Sequence, residues 1–178
     1  MQPIGPLMHE HRLIERMVAL IQKQAKHLQG GAEPDSKFIA DAVEFFRVYA
    51  DRCHHGKEED LLFVELRNKE LPPELSAITD ELIQEHKLGR GMVKSLYEAN
   101  RAYIASGTGT QEIVQLLEKL ARFYPEHIEK EDKRFFFPIM EYFNREEMDR
   151  MLADFYEFDR KLVHHFFQDK VEGYEAGK

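Results

Sequence analysis

The sequence predicts an all-α protein: an up-down-up-down four-helix bundle followed by an additional C-terminal helix. Three observations support this fold class. Apolar residues recur at alternating steps of three and four, turn-forming residues interrupt that pattern at four places, and no strand or hairpin pattern competes with it. The uninterrupted segments predict helices at roughly 6–29, 36–70, 73–106, 110–143 and 145–170.

The four interruptions consist of residues that end helices and form turns. They lie at Gly30-Gly31-Ala32-Glu33-Pro34, Leu71-Pro72-Pro73, Gly107-Thr108-Gly109 and Phe143-Asn144. Because connections this short join antiparallel neighbours, the first four helices should form one bundle. We expect residues 1–143 to form that domain and residues 144–178 to form an amphipathic C-terminal helix and tail packed on it.

Each predicted helix has one face that should be buried. On the first helix this face steps by four and three, the spacing of helices in left-handed bundles, and consists of Leu7, His11, Ile14, Val18, Ile21, Ala25 and Leu28. On the second helix it consists of Val43, Ala50, His54, Glu58 and Leu61. On the third it consists of Leu75, Thr79, Leu82, His86, Gly89 and Val93, and on the fourth of Ile113, Leu117, Leu120, Tyr124, His127 and Glu131. Histidines therefore occupy core positions on all four helices, and glutamates occupy core positions on the second and the fourth.

The fifth helix has an amphipathic face formed by Met151, Phe155, Phe158, Leu162 and His165. We expect this face to cover the bundle within the same chain. Contact with a second subunit is the alternative use for it, so both a monomer and a homodimer remain open.

Composition and charge exclude several classes of protein. At 178 residues with 43% hydrophobic content, the chain can bury one sizeable core. Its net charge of -8 argues against nucleic acid as a partner, since that partner requires clustered lysine and arginine. The single cysteine, Cys53, fits a reducing compartment. No secretory signal and no membrane-spanning segment is visible, so we expect a cytoplasmic protein without a membrane partner.

The polar core residues occur twice, at a separation of about 75 residues. The repeated segments are Glu10-His11-Arg12-Leu13 with Glu85-His86-Lys87-Leu88, and His54-x-x-x-Glu58 with His127-x-x-x-Glu131. Matching separations indicate an internal duplication. Two equivalent sets of ligands are what a pseudo-two-fold site for a pair of metal ions requires.

Metal binding explains why charged residues lie in the predicted core. Burying ionised carboxylates and imidazoles without partners costs several kcal/mol for each charge. Histidine nitrogens and carboxylate oxygens suit a first-row cation such as iron, manganese or zinc. A histidine and a glutamate four residues apart lie on one helix face, so each such pair can bind one ion and bridge to another.

This pattern resembles the hemerythrin-like (HHE cation-binding) family over residues from about 7 to 140. The residues that carry the resemblance are Glu10-His11-Arg12-Leu13-Ile14-Glu15-Arg16-Met17, His54-His55-Gly56-Lys57-Glu58-Glu59-Asp60-Leu61-Leu62-Phe63, Glu85-His86-Lys87 and His127-x-x-x-Glu131. Ferritin-like di-iron proteins differ, because they place glutamate first in Glu-x-x-His. The resemblance implies a non-haem di-iron site inside the bundle.

The resemblance also implies a set of ligands. His11, His54, His86 and His127 would be terminal ligands of two iron ions, and Glu58 and Glu131 would bridge them, with an oxo or hydroxo bridge. Manganese and zinc accept the same donors. His55/Glu59 competes with His54/Glu58 as the pair on the second helix, and we prefer the latter because Lys57-Glu58-Glu59 aligns with Lys130-Glu131-Asp132.

The sequence departs from the oxygen-carrying hemerythrins at one position. A fifth histidine is expected one turn beyond His86, where this chain has Arg90. Each ion is then left short of octahedral coordination, so a small ligand has room to bind. Glu15 and Glu85 are the nearest candidates for an additional ligand or for a hydrogen-bond partner of one.

Three functions are consistent with such a centre. The leading hypothesis is a di-iron protein that binds or senses O2 or NO, or senses iron, without defined turnover. The second is an enzyme or repair protein that reduces O2, peroxide or NO, or donates iron to damaged iron-sulfur clusters. The third is an interaction module whose metal is structural. Catalytic residues are not identified from the sequence, since no acid/base pair lies outside the ligand set.

Overall fold

The protein is a four-helix bundle with a fifth helix packed against it. The structure, a computed structural model, describes residues 2–175, and the side chains of residues 2–163 and 166. Its helices are α1 (Ile4–Gln29), α2 (36–66), α3 (Pro73–Ser106), α4 (110–140) and α5 (Arg145–Glu175). Both α1 and α3 pack against α2 and α4, which closes the bundle. The predicted all-α bundle with an additional C-terminal helix is confirmed, and the described residues contain no strand.

The helices begin and end where local chemistry favours it. Asp35 caps the N-terminus of α2 by accepting a hydrogen bond from the Phe38 amide at 2.9 Å. Gly107 ends α3 with a φ of 71°, a left-handed conformation that glycine adopts without steric cost. At the start of α5, Asn144 and Glu147 exchange hydrogen bonds between side chain and amide, which is a capping box.

Two of the helices contain π-helical segments. In α2 these are Phe46–His55 and Glu58–Leu62, and in α4 the segment is Glu131–Phe135. Hydrogen bonds from residue i to i+5 widen the helix, so buried positions lie further apart in sequence than in an α-helix. The prediction that Leu61 belongs to the buried face is therefore wrong. Leu62 takes that place and is fully buried, whereas Leu61 is only partly buried.

Two apolar clusters fill the bundle on either side of a polar layer. On α1, Leu7 belongs to one cluster and Ile14 to the other, and the histidine at position 11 lies between them. On α4 the same arrangement holds between Tyr124 and Phe135. The polar layer is therefore enclosed by apolar side chains above and below, which removes it from water.

The C-terminal helix contributes to one of these clusters. Met151 and Phe155 are buried in it, in agreement with the predicted face, and Phe158 and Leu162 are half-buried. The side chain of His165 lies outside the described residues. Among the helices of residues 2–175, none combines the length and apolar composition that crossing a membrane requires.

Candidate metal centre

The six side chains predicted as ligands converge in the polar layer. All are at most 2% exposed, and they come from all four helices of the bundle: His11, His54, Glu58, His86, His127 and Glu131. Glu15, the additional candidate, is not brought to this cluster. Its side chain is 40% exposed and pairs with Arg12 at 2.9 Å on the surface of α1.

His55 also lies in the cluster, which corrects the expectation that a fifth imidazole is missing. It is 2% exposed, and one of its ring nitrogens lies within 4.8 Å of ring nitrogens of His86 and His127. Its ring stacks on that of His86 with centroids 3.9 Å apart. The expectation looked for this imidazole one turn beyond His86 on α3, whereas α2 supplies it next to His54.

Two adjacent histidines face the core because α2 is π-helical at this point. Successive residues of an α-helix are rotated by about 100°, which would turn one of the two side chains away from the centre. The wider π-helix reduces that rotation. The rings of His54 and His55 consequently lie side by side, with centroids 5.6 Å apart.

The five histidines form two groups. The first group is His11 and His54, whose Nε2 atoms are 2.9 Å apart. The second group is His55, His86 and His127, whose ring nitrogens lie within 4.8 Å of one another. The arrangement is asymmetric, with two imidazoles in one group and three in the other, although the sequence repeat suggested equal sets.

Two carboxylates span the space between the groups. Glu58 places Oε1 3.8 Å from Nε2 of His54 and Oε2 3.4 Å from Nε2 of His86. Glu131 places Oε2 3.1 Å from Nε2 of His11 and Oε1 3.6 Å from Nε2 of His86. Each glutamate therefore directs one oxygen to the first group and the other to the second, as a carboxylate that bridges two cations does.

The atoms at the centre of the cluster fit bound cations. Several of them are buried and have no hydrogen-bond partner among the described residues: both side-chain oxygens of Glu58 and of Glu131, and Nε2 of His86 and His127. Leaving one such group unpaired costs about 1–3 kcal/mol, and more if it is charged. Nitrogen and oxygen donors this close together satisfy a first-row metal ion.

Four histidines form hydrogen bonds to carboxylates through the ring nitrogen that faces away from the centre of the cluster. In each, Nδ1 donates to a carboxylate oxygen: His11 to Asp132 at 2.7 Å, His54 to Glu10 at 2.9 Å, His86 to Glu59 at 2.7 Å, and His127 to Glu85 at 2.8 Å. An ionised carboxylate only accepts, so the proton of each ring is required at Nδ1. Every ring is thereby oriented with Nε2 towards the centre, as in metal sites with outer carboxylate partners.

Each of these outer carboxylates is in turn held by a cation. The pairs are Asp132 with Arg12, Glu10 with Lys57, Glu59 with Arg90, and Glu85 with Lys130. Arg90, which stands where the fifth imidazole was expected, donates to Glu59 and to Asp51 at 2.7 Å each. A layer of imidazoles, a layer of carboxylates and an outer layer of cationic side chains therefore surround the centre. The hydrogen bonds between these layers fix the orientation of the imidazoles.

Sequence reasoning named only one of these outer carboxylates, Glu85, as a candidate partner, and the structure places it on His127. The repeat contained a signal for the others. A glutamate precedes the histidine at positions 10 and 85, and an acidic residue follows the repeated glutamate at positions 59 and 132. Spacing alone could not tell that each of these residues serves a histidine of another helix.

The charges of the first histidine group are unequal. Burial by itself would lower the pKa of His11, but the carboxylates of Asp132 and Glu131 outweigh it and raise that pKa to about 9. Burial, together with the positive His11, lowers the pKa of His54 to about 4. In the metal-free protein at neutral pH, His11 is therefore an imidazolium and His54 is neutral.

The two central glutamates, Glu58 and Glu131, are also unequal. Burial raises the pKa of Glu58 well above its usual range, and the nearby charge of Glu131 raises it further. Burial acts on Glu131 in the same direction, but His127 and His11 outweigh it and hold the pKa of Glu131 well below its usual range. Without a bound metal, a proton is thus held more strongly by Glu58 than by Glu131.

Aromatic rings close the centre at its sides. Phe136 stacks on His11, Phe63 on His86, and Phe123 on His127 at a centroid distance of 5.5 Å. Gly89 of α3 makes room for the last of these, since a Cβ atom there would lie 3.2 Å from the Phe123 ring. The space beside Gly89 is therefore filled by an aromatic ring.

A cavity of about 220 Å³ adjoins the second histidine group. Phe46, Val93 and Tyr124 line its apolar side, and Arg90 lines its polar side, with His55 in its wall. This cavity brings open space into contact with the His55 imidazole of the cluster.

Comparison with known proteins agrees with this geometry. The model of the family described as the hemerythrin HHE cation-binding domain matches residues 2–139. The matched part spans the helices that carry the cluster, and it ends before α5. No curated protein and no solved structure matches the chain significantly.

Proposed function

Because the chain belongs to the hemerythrin HHE cation-binding family, whose domains bind metal, we propose that the cluster binds two iron ions and that O2 or NO binds to one of them. The observation that supports this proposal most directly is the division of five imidazoles into two groups, with two glutamates spanning them. A single ion would leave one of these groups without a cation.

In this proposal the two ions have different ligands. His11 and His54 bind the first ion, the three histidines of the second group bind the second ion, and Glu58 and Glu131 bridge both. The second ion then receives three nitrogens and two oxygens, and the first receives two of each. With an oxo or hydroxo bridge counted as well, the first ion would have one ligand fewer than the second, so the first ion would be the one that offers a position to a diatomic ligand.

The enclosure of the centre suits ligand binding more than turnover. The ligands are buried, aromatic rings cover the imidazoles, and carboxylates hold four of the five rings in place. Asp51, whose carboxylate lies 3.5 Å from Nδ1 of the fifth ring, His55, is itself paired with Arg90. We therefore propose reversible binding or sensing, in the reducing compartment that the single cysteine Cys53 suggests.

Metal analysis and spectroscopy test this proposal directly. Protein purified from its own host should contain about two iron ions per chain, with absorption bands that disappear on reduction. Anaerobic addition of O2 or NO to the reduced protein should produce new bands that reverse when the gas is removed. The Glu15→Gln variant is the matched control, because this glutamate lies on α1 beside the centre without reaching it.

Three outcomes would contradict the proposal in different ways. One metal ion per chain, or manganese or zinc in place of iron, would contradict the di-iron assignment. Consumption of many equivalents of O2, peroxide or NO would assign the centre to catalysis. Saturated coordination without any response to gas, together with folding that requires the metal, would make the metal structural.

A further inference from the structure

The C-terminal helix reaches the metal centre through a buried lysine. The side chain of Lys57 is fully buried between α1, α2 and α5. Its ammonium group donates to Glu10 of α1 and to both oxygens of Asp159 of α5, at 2.9 and 3.0 Å. Cys53 donates its thiol proton to the same carboxylate at 3.3 Å. The ammonium group thus occupies the position that a cation would take between these acidic residues.

The helix is seated closely at this point. A Cβ atom on Gly56 would lie 2.7 Å from the ring of Phe158, so only glycine lets α5 approach α2 in this way. Gly56 is next to Lys57 and directly follows His54 and His55 in the chain. The contact between Phe158 of α5 and Gly56 therefore lies on the same turn of α2 as His54, His55 and Glu58.

A continuous chain of polar contacts leads from α5 to a ligand. Asp159 accepts from Lys57, Lys57 donates to Glu10, and Glu10 accepts from Nδ1 of His54 at 2.9 Å. All links but the outermost are buried. A buried ammonium group needs full charge compensation, so the strength with which it holds Glu10 depends on whether Asp159 shares it.

The second half of the bundle lacks this connection. Lys130, the counterpart of Lys57 in the repeat, pairs with Glu85 and with Glu81. Glu81 belongs to α3, the same helix as Glu85, and its side chain is 54% exposed. The second carboxylate partner of the repeated lysine is thus a surface residue of the bundle for Lys130 and a residue of α5 for Lys57.

We propose that Asp159 is a positioning residue for His54, acting through Lys57 and Glu10, so that the C-terminal helix controls the ligand strength of one metal position. The inference rests on the proposed metal function of His54. When Asp159 shares the ammonium group, Glu10 remains a strong acceptor for Nδ1 of His54. That hydrogen bond orients the ring and makes its Nε2 more basic. Loss of Asp159 leaves the ammonium group to Glu10 alone, which weakens the bond from His54.

The first test uses the metal-free full-length chain labelled with ¹⁵N in its histidines. The Asp159→Asn variant should speed solvent exchange of the Nδ1 proton of His54 by about tenfold. The Nδ1 proton of His127 should exchange as before. In the Glu81→Gln variant, which alters the corresponding partner of Lys130 in the other half, the proton of His54 should be unaffected. Asp159→Glu keeps the charge and should restore slow exchange.

The second test uses cobalt(II) as the probe ion, titrated against a competing chelator. Asp159→Asn should weaken one of two bound equivalents by about three- to tenfold, less than the 10–100-fold expected for removing a direct partner of a ligand. Asp154→Asn, an exposed change on the same helix, should leave both equivalents unchanged. Thermal unfolding of each variant shows whether the fold is kept.

The outcomes separate this inference from the proposed function. Equal exchange of the His54 proton in the native chain and in a folded Asp159→Asn variant overturns the inference, whether or not metal binds. Equal weakening of both cobalt equivalents also overturns it, because a general loss of stability would have that effect. Failure of the native chain to bind two ions contradicts the proposed function and removes the effect on metal affinity that rests on it. The positioning of His54 by Asp159 is still decided by the exchange measurement, which needs no metal.

Discussion

The Nε2 atoms of His11 and His54 lie 2.9 Å apart across the interface between α1 and α2. His11 is protonated and His54 neutral in the metal-free protein, so His11 donates the hydrogen bond. Two nitrogens bound at right angles to one ion, each at about 2.0–2.1 Å, are about 3 Å apart. The hydrogen bond therefore keeps these two nitrogens at about the separation that a bound ion would require. Metal binding should need little movement of the two rings.

Metal binding should release protons. His11, with a pKa of about 9, carries an additional proton at neutral pH, and burial raises the pKa of Glu58, which favours a second proton there. An ion needs the lone pairs that such protons occupy, so at least about one proton should leave per chain at pH 7. Zinc titration calorimetry in two buffers with different ionisation enthalpies measures this number.

The same argument gives the direction of the pH dependence. Because protons compete with the ion, apparent metal affinity should rise with pH, by about tenfold per unit for each proton released. The contribution of His11 should disappear above about pH 9, where it is already neutral. An affinity that stays constant between pH 6 and about 8 would contradict the assigned protonation states.

Replacing His55 should remove one metal position selectively. The His55→Leu variant leaves the second group with His86 and His127, while the first group is untouched. We expect the second equivalent of metal to bind more than 100-fold more weakly, since even the loss of an outer partner costs about 10–100-fold. Metal content after gel filtration measures the effect.

His27→Leu is the matched control for that experiment, because His27 is exposed on α1. It should bind as much metal as the native chain. If the His55→Leu variant also kept two ions with unchanged affinity and spectrum, His55 would be a packing residue and the count of five imidazoles would be wrong.

Removing an outer carboxylate should weaken metal binding without removing a ligand. In the Glu85→Gln variant, His127 loses the carboxylate that orients its ring. Metal affinity should fall by about 10–100-fold. Glu15→Gln, a change of the same type at the surface, should leave it within about twofold, because surface substitutions rarely disturb a distant site.

Competition with a chromophoric chelator measures both variants under the same conditions. Equal affinities for Glu85→Gln and the native chain would show that the hydrogen bond to His127 does not tune the ligand. A large loss in Glu15→Gln would instead bring that carboxylate back as a ligand, reached by a rearrangement of α1.

Two glycines on the bundle should respond in opposite ways to substitution by alanine. Gly91 of α3 has open space where a Cβ atom would lie, so Gly91→Ala should raise the free energy of unfolding by about 0.5–1 kcal/mol. Gly56→Ala should lower it by about 1 kcal/mol, because its Cβ atom displaces Phe158 and this cost exceeds the gain in helix propensity.

Urea unfolding of the metal-free variants compares the two substitutions, with Gly91→Ala serving as the control for helix propensity. A gain in stability at both positions would show that Phe158 moves aside without cost. In that case α5 would not be seated against Gly56 as closely as the structure indicates.

Most of the fold follows from periodic patterns in the chain. The steps of three and four residues place the buried faces of α1, α3 and α4 correctly, and the turn formers place all four connections within a few residues. The second helix is the exception. Its π-helical segments rotate the inward face from Leu61 to Leu62, because the backbone changes its hydrogen-bonding partner without any signal in the spacing.

The sequence alone identified six converging side chains and the chemistry of their donors, because a duplicated pattern of charged residues at core positions is costly unless cations compensate their charge. Only the folded chain decided that His55 joins them and that Glu15 does not. It also decided that Glu10 serves His54 and that Asp159 reaches Lys57. Those contacts join residues far apart in the chain, and helical periodicity determines which face a residue occupies but not which residue of another helix it meets.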